Sequence, residues 1–329
     1  MSLRRHVNKI QSLIGIVLAI ILLYYVFREV EWEKLKIHFT QLNPVWTSAA
    51  VIAICLNFFL RSMRWQILLV KPERPRIIVT FAANMIGYMG NNFLPARAGE
   101  VLRCIYLGRH SFVGRSFSFA TVITERVYDT AFLGLAGVIV LAFISGIPDW
   151  LTGSAKILSP IAVALFLFSL SLPWFEPAAM KLTAKIKRLK LRNRIESMLS
   201  SGIDGFGVLK SPIRFLAYNL ITFIIWSLDV LIVLILIKAL GFSLPVSGAI
   251  LLIVALAFAS AAPSTPGYLG IYQFVAVEIL PIFGLSKEQA LATILVFQGL
   301  IYLTVVMLGL PSLLWLSSGN KTNAATSEP

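Results

Sequence analysis

Apolar residues run along this chain in long blocks, with short polar segments between them. Residues 12–27, 45–62, 116–145, 156–174, 213–237 and 288–316 each come near the ~20-residue length of a membrane-spanning helix. Two further apolar runs, 77–93 and 246–262, end in breaks. The first break is Asn91-Asn92-Phe93-Leu94-Pro95, and the second is Ala262-Pro263-Ser264-Thr265-Pro266-Gly267. A short helix follows each, over about 96–107 and 267–280, close to the ~10–14 residues of a re-entrant segment. Residues 178–210 interleave Lys and Arg with Leu and Ile, the pattern of a basic amphipathic helix on the anionic cytoplasmic membrane face. Residues 317–329 are polar and read as a disordered tail. The predicted fold class is all-α: a polytopic helical membrane protein of about six full spans plus two re-entrant (broken) helical hairpins, forming one membrane domain over 1–316.

Composition agrees. The chain is 58% hydrophobic and only 13% charged, where a soluble domain carries about a quarter charged residues. Its net charge of +14 raises the question of nucleic acid. The placement of the charges answers it, because Lys and Arg cluster in every second polar segment. With the N-terminus in the cytoplasm, twenty-two fall on the cytoplasmic side and six on the other. This is the positive-inside pattern, so a multi-pass protein of the cell (cytoplasmic, inner) membrane is expected, with both termini cytoplasmic and no nucleic-acid partner. Arg4, Arg5 and Lys9 precede Leu13–Phe27 as in a signal peptide. No small-residue cleavage site follows, so the segment reads as an uncleaved first helix. Cys55 and Cys104 suggest no disulfide framework. His6, His38 and His110 show no metal-ligand spacing, so neither a metal nor a cofactor is expected.

The two halves correspond. Each holds a span, an amphipathic connector, a span, a broken hairpin and a span, over about 12–145 and 156–316. Both breaks carry Pro-x-x-x-Gly, as Pro95–Gly99 and Pro263–Gly267, 168 residues apart. The halves start on opposite sides, so the repeat is inverted. Inverted repeats with broken helices point to a transporter whose site lies at the breaks. Pro95 suits the first turn of the first return helix, and Thr265 is a plausible N-cap before Pro266. Both helix N-termini would then face the membrane interior as anion sites. Arg97 adds a charge there, and Asn91 and Asn92 add amide donors, so a phosphate-bearing lipid head group is the expected ligand.

Arg97, Glu100 and Arg103 are spaced at three and should form one helical ridge. Glu125 and Asp129 share a face, with Arg126 paired to Asp129. Charges at membrane depth are tolerated only when paired or wet. The group therefore reads either as a binding site or as a network locking the hairpin to the third span. Arg97 and Glu125 lean toward binding. Asp229 and Gln273 are further candidates, Asp229 lacking a local partner.

The stretches Pro95-Ala96-Arg97-Ala98-Gly99-Glu100-Val101-Leu102-Arg103 and Glu125-Arg126-Val127-Tyr128-Asp129 resemble signatures of the lysylphosphatidylglycerol synthase transmembrane-region family. Pro266-Gly267-Tyr268-Leu269-Gly270-Ile271-Tyr272-Gln273 is similar to that family's second motif, with Tyr268 and Gln273 where Gly and Glu are common. The resemblance implies a flippase-like protein. The soluble aminoacyl-transferase domain is absent from this sequence, so synthase activity is not expected. A lipid translocase is the leading reading. A membrane lipid or glycosyl transferase, or an accessory subunit for a lipid-modifying enzyme, are the alternatives.

Overall fold

The computed structural model describes residues 17, 20–28, 30–69, 73–94, 97–143, 148–168 apart from 155, 158, 162 and 165, then 183, 196, 202, 204–207, 211–261 and 266–318. Every regular element among these residues is helical. In chain order they are α1 (20–27), α2 (Trp32–Thr40), α3 (Pro44–Leu68), α4 (Ile77–Phe93), α5 (Ala98–His110) and α6 (Arg115–Phe143). There follow α7 (Asp149–Phe168), α8 (Pro212–Ala239), α9 (Val246–Ala261), α10 (Ile271–Ile279) and α11 (Lys287–Ser318). Short 3-10 turns at Pro266–Tyr268 and Leu280–Phe283 flank α10.

α3, α7, α8 and α11 are long and apolar enough to cross a membrane. α6 has the length, at 29 residues, but carries Glu125, Arg126 and Asp129 near its middle. Helix starts follow local chemistry. Asn43 accepts from the backbone N–H of Val45 and Trp46, at 3.0 and 3.3 Å, and Pro44 sits where a missing N–H costs nothing. Pro212 likewise opens α8 at its first position, where Ser211 makes no side-chain capping bond.

Several boundaries differ from the expected ones. α3 continues to Leu68 rather than ending at 62, because Arg61 and Arg64 are neutralised inside the protein and need no aqueous loop. α7 begins at Asp149 rather than 156, since the Pro148 carbonyl accepts from Leu151 and Thr152 and opens the helix there. α4 runs through Asn91 and Asn92 to Phe93, so the chain turns only at Leu94, which is extended. α11 reaches Ser318, past the expected start of the tail. Pro95, Pro263, Thr265, residues 1–16, the tail 319–329 and most of 178–210 lie outside the described residues.

Among the described residues the helices pack mainly through two apolar clusters, with a small third one of Ala82, Ile86 and Leu316. One joins α3, α8, α9, α10 and α11, with Ile54, Ile232, Leu252, Ala276 and Leu291 at its centre. The other sits at the opposite end of α3 and holds Trp65, Leu107, Val122 and Tyr218. Between lipid-solvated helices association rests on close packing rather than on the hydrophobic effect. Glycine supplies that closeness where α4 and α5 fold back on each other. A Cβ on Gly99 would run into the Gly87 carbonyl and come within 2.6 Å of the Asn91 nitrogen. α9 and α10 form the second hairpin, with Gly248 facing Phe283.

Candidate functional site

Asn57, Arg61 and Arg64 follow one another at helical spacing and give α3 a polar face. Arg64 is fully buried. Its Nη1 donates to Asp129 Oδ1 at 2.5 Å, and its Nη2 donates to Asp129 Oδ2 and Glu125 Oε1, both at 3.0 Å. Such forked contacts between opposite charges are among the stronger hydrogen bonds. Arg103 of α5 donates to Asn84 Oδ1 at 2.8 Å and pairs with Glu125 Oε2 at 3.2 Å. Arg61 donates to Asp229 Oδ2 at 2.6 Å and to Asn57 Oδ1 at 2.6 Å, and Asn57 donates in turn to Asp229 Oδ1 at 3.1 Å.

This arrangement bears on three of the expectations. Asp229 does have partners, contributed by α3 across the α3–α8 contact. Arg126 pairs with Asp129 as expected, at 3.9 Å, and has a nearer partner in Glu100 at 2.9 Å. Arg97 is not on a ridge with Glu100 and Arg103. It is the N-cap of α5, with φ 52 and ψ 36, and so points elsewhere.

Arg97 crosses to the second hairpin. One Nη2 donates to the Ser260 carbonyl at the end of α9, and the guanidinium lies 5.9 Å from the Tyr268 ring centroid. Among the described residues it has no carboxylate partner. The cluster thus holds Arg61, Arg64, Arg97, Arg103 and Arg126 against Glu100, Glu125, Asp129 and Asp229. Arg97 is the surplus cation.

Beside these groups lies a cavity of about 290 Å³. Of the residues singled out from sequence, Asn91, Asn92, Arg97, Glu100, Arg126, Asp129, Asp229 and Gly267 line it. Arg103 and Glu125 stand behind the wall, both buried. Gln298 and the rings of Tyr88, Trp226, Tyr268, Tyr272 and Tyr302 are also part of the lining, among aliphatic side chains such as Ile54 and Leu133. Tyr268 and Tyr272 are stacked, with centroids 4.9 Å apart.

The second hairpin turns through Gly267, Tyr268 and Gly270, all at positive φ. Its exposed backbone is satisfied by α11. Gln298 Nε2 donates to the Gly267 carbonyl at 2.6 Å, and the Tyr302 hydroxyl donates to the same oxygen. Non-helical backbone at membrane depth requires such partners. Gln273 belongs to this scaffold and not to the cavity wall. It accepts from Gly270 N–H at 2.8 Å and donates to Gln298 Oε1 at 2.6 Å. α10 therefore starts at Ile271 with Gly270 as its cap, not at Pro266. Gln273 occupies one of its N-terminal donors, which leaves the first hairpin as the cationic side of the cavity.

The fold and the cavity define a class: a polytopic helical membrane protein with an internal charged site between two helical hairpins. Residues 12–309 match the family described as the lysylphosphatidylglycerol synthase TM region, and the chain belongs to that family. It is 25% identical over 304 residues to a UPF0104 membrane protein of Methanothermobacter thermautotrophicus, covering 84% of this chain and 87% of that protein. A second UPF0104 membrane protein, from Methanocaldococcus jannaschii, is 26% identical over 221 residues, or 67% of this chain and 90% of that protein. No solved structure matches the chain.

Proposed function

We propose that this protein is a lipid translocase of the cytoplasmic membrane, with the cavity taking a phosphate-bearing head group while the acyl chains stay in the bilayer. The observation that carries the reading is Arg97. A guanidinium at membrane depth costs at least ~2.5–3.5 kcal/mol on insertion scales, and no carboxylate among the described residues offsets it. An anionic head group would. On this reading the chain moves lipids and does not modify them.

The repeat supports the same reading. Pro44 and Pro212, the first residues of α3 and α8, are 168 positions apart. Asn57 donates to the carbonyl of Ile225, and Arg61 to Asp229, pairs that are also 168 apart. Positions related by a twofold operation touch only on its axis. The axis of an inverted repeat would then run between α3 and α8, along one wall of the cavity, where alternating access places a transporter's site. α4 and α5, about 25 and 20 Å long at 1.5 Å per residue, fit a re-entrant hairpin in a ~30 Å hydrocarbon layer.

The test is reconstitution in liposomes with fluorescent phospholipids, followed by chemical quenching of the outer leaflet. Translocation above protein-free vesicles is expected, with Arg97→Ala at background while remaining folded. Failure to move any anionic phospholipid or polyprenyl phosphate, or full activity of the variant, would overturn the proposal.

A further inference from the structure

Building on the translocase reading, we infer that the cavity selects a lipid phosphodiester whose head group is otherwise an uncharged polyol or sugar, and that it discriminates against amine-bearing head groups. The first argument is charge. A head-group ammonium needs a free carboxylate, and each of the four in the cluster is already engaged. Asp229 is held by Arg61 and Asn57, Glu100 by Arg126, Asp129 by Arg64, and Glu125 by Arg64 and Arg103. An added cation would also meet the surplus charge of Arg97. A phosphodiester carries one negative charge and balances that surplus.

The second argument concerns the aromatic rings. An aromatic cage could hold a quaternary ammonium, but the protein's own arginines stand over two of the available rings. Arg61 sits 5.7 Å from the Trp226 centroid and Arg97 sits 5.9 Å from that of Tyr268. The third is unmet hydrogen bonding. Three cavity-lining residues carry polar atoms sealed from solvent and without a protein partner: Tyr88 Oη, Asn91 Oδ1 and Asn92 Nδ2. They include a hydroxyl, an acceptor and an amide donor, and groups buried in this way cost stability until partnered. Head-group hydroxyls both donate and accept, so they can serve all three once these side chains turn those atoms into the cavity they line. The volume, at the low end of the ~300–1,000 Å³ typical of ligand pockets, suits a glycerol or a single sugar.

The experiment measures binding to the full chain in detergent, using short-chain phosphatidylglycerol, phosphatidylethanolamine and phosphatidylcholine read by tryptophan fluorescence. Phosphatidylglycerol should bind at least about tenfold more tightly than the other two, the scale of one charge-assisted hydrogen bond. Arg97→Gln should remove that preference, and Arg97→Lys should restore part of it, which separates lost charge from lost folding. Glycerol phosphate against ethanolamine phosphate tests the head group without acyl chains, and the same order is expected. Equal or tighter binding of the amine lipids, or a preference that survives in Arg97→Gln, would overturn the inference. Preference without translocation would sink the translocase reading and leave this one standing. Translocation of both lipid types at equal rates, with equal binding, would do the reverse.

Discussion

Replacing Arg64 by Gln removes a guanidinium that has no exposed surface and serves two carboxylates. The carboxylates do not suffer equally. Glu125 keeps Arg103 at 3.2 Å, whereas Asp129 keeps only Arg126 at 3.9 Å. Removing one partner of a buried pair costs about 3–5 kcal/mol, because the remaining charge stays buried and uncompensated. Since Glu125 retains a partner, the expected loss is near the lower end, about 3 kcal/mol. Adding Asp129→Asn to that variant neutralises the stranded charge. The double variant should then lose only the hydrogen bonds, about 1–1.5 kcal/mol, and the two sites should couple by at least roughly 2 kcal/mol, since Asp129→Asn alone adds its own loss to the cycle. Reversible unfolding in mixed micelles, followed by tryptophan fluorescence, measures all three variants. Additive losses, or an Arg64→Gln variant within about 1 kcal/mol of the parent, would refute the idea that Arg64 is the structural counter-charge of Asp129.

Two other substitutions probe the neighbourhood. Gly99→Ala should loosen the α4–α5 hairpin by about 1–3 kcal/mol, as overpacking does, and should raise proteolysis near Leu94; parent-like stability would contradict the close approach. Arg97→Gly exchanges a left-handed arginine, disfavoured by roughly 1–2 kcal/mol, for a residue at ease there. Stability should stay within about 1 kcal/mol of the parent while transport is lost, and a loss above about 3 kcal/mol would place Arg97 in the structural network instead.

Much of the architecture was legible because long apolar blocks and broken runs report directly on burial. Arg61 and Arg64 were not, and the reason is physical. They lie at the end of an apolar block and precede Lys71, Arg74 and Arg76, so their charge reads as part of a basic cytoplasmic loop. The available signal was the spacing of Asn57, Arg61 and Arg64 on one helical face, with no breaker before Pro72. Asp229 was visible as a buried charge, but its partner lies 168 residues away and only packing brings them together. The conformation of Arg97 was similarly hidden, since a left-handed arginine at a cap has no marker in residue type. At the second break, the motif located the turn. Its cap at Gly270 depends on Gln273, whose amide is held in place by Gln298 of a different helix.

The bond between Arg61 and Asp229 also bears on biogenesis. At ~5–20 residues per second of synthesis, Asp229 follows Arg61 from the ribosome by roughly 10–30 s. During that interval the first half carries an arginine whose counter-ion does not yet exist. α3 must therefore wait shallow in the bilayer, with Arg61 reaching the wet interface, and settle only when α8 arrives. Completion of the second half is thus the event that lets the first one seat. Co-expressed half-chains should each insert poorly alone, and each should be rescued by the other.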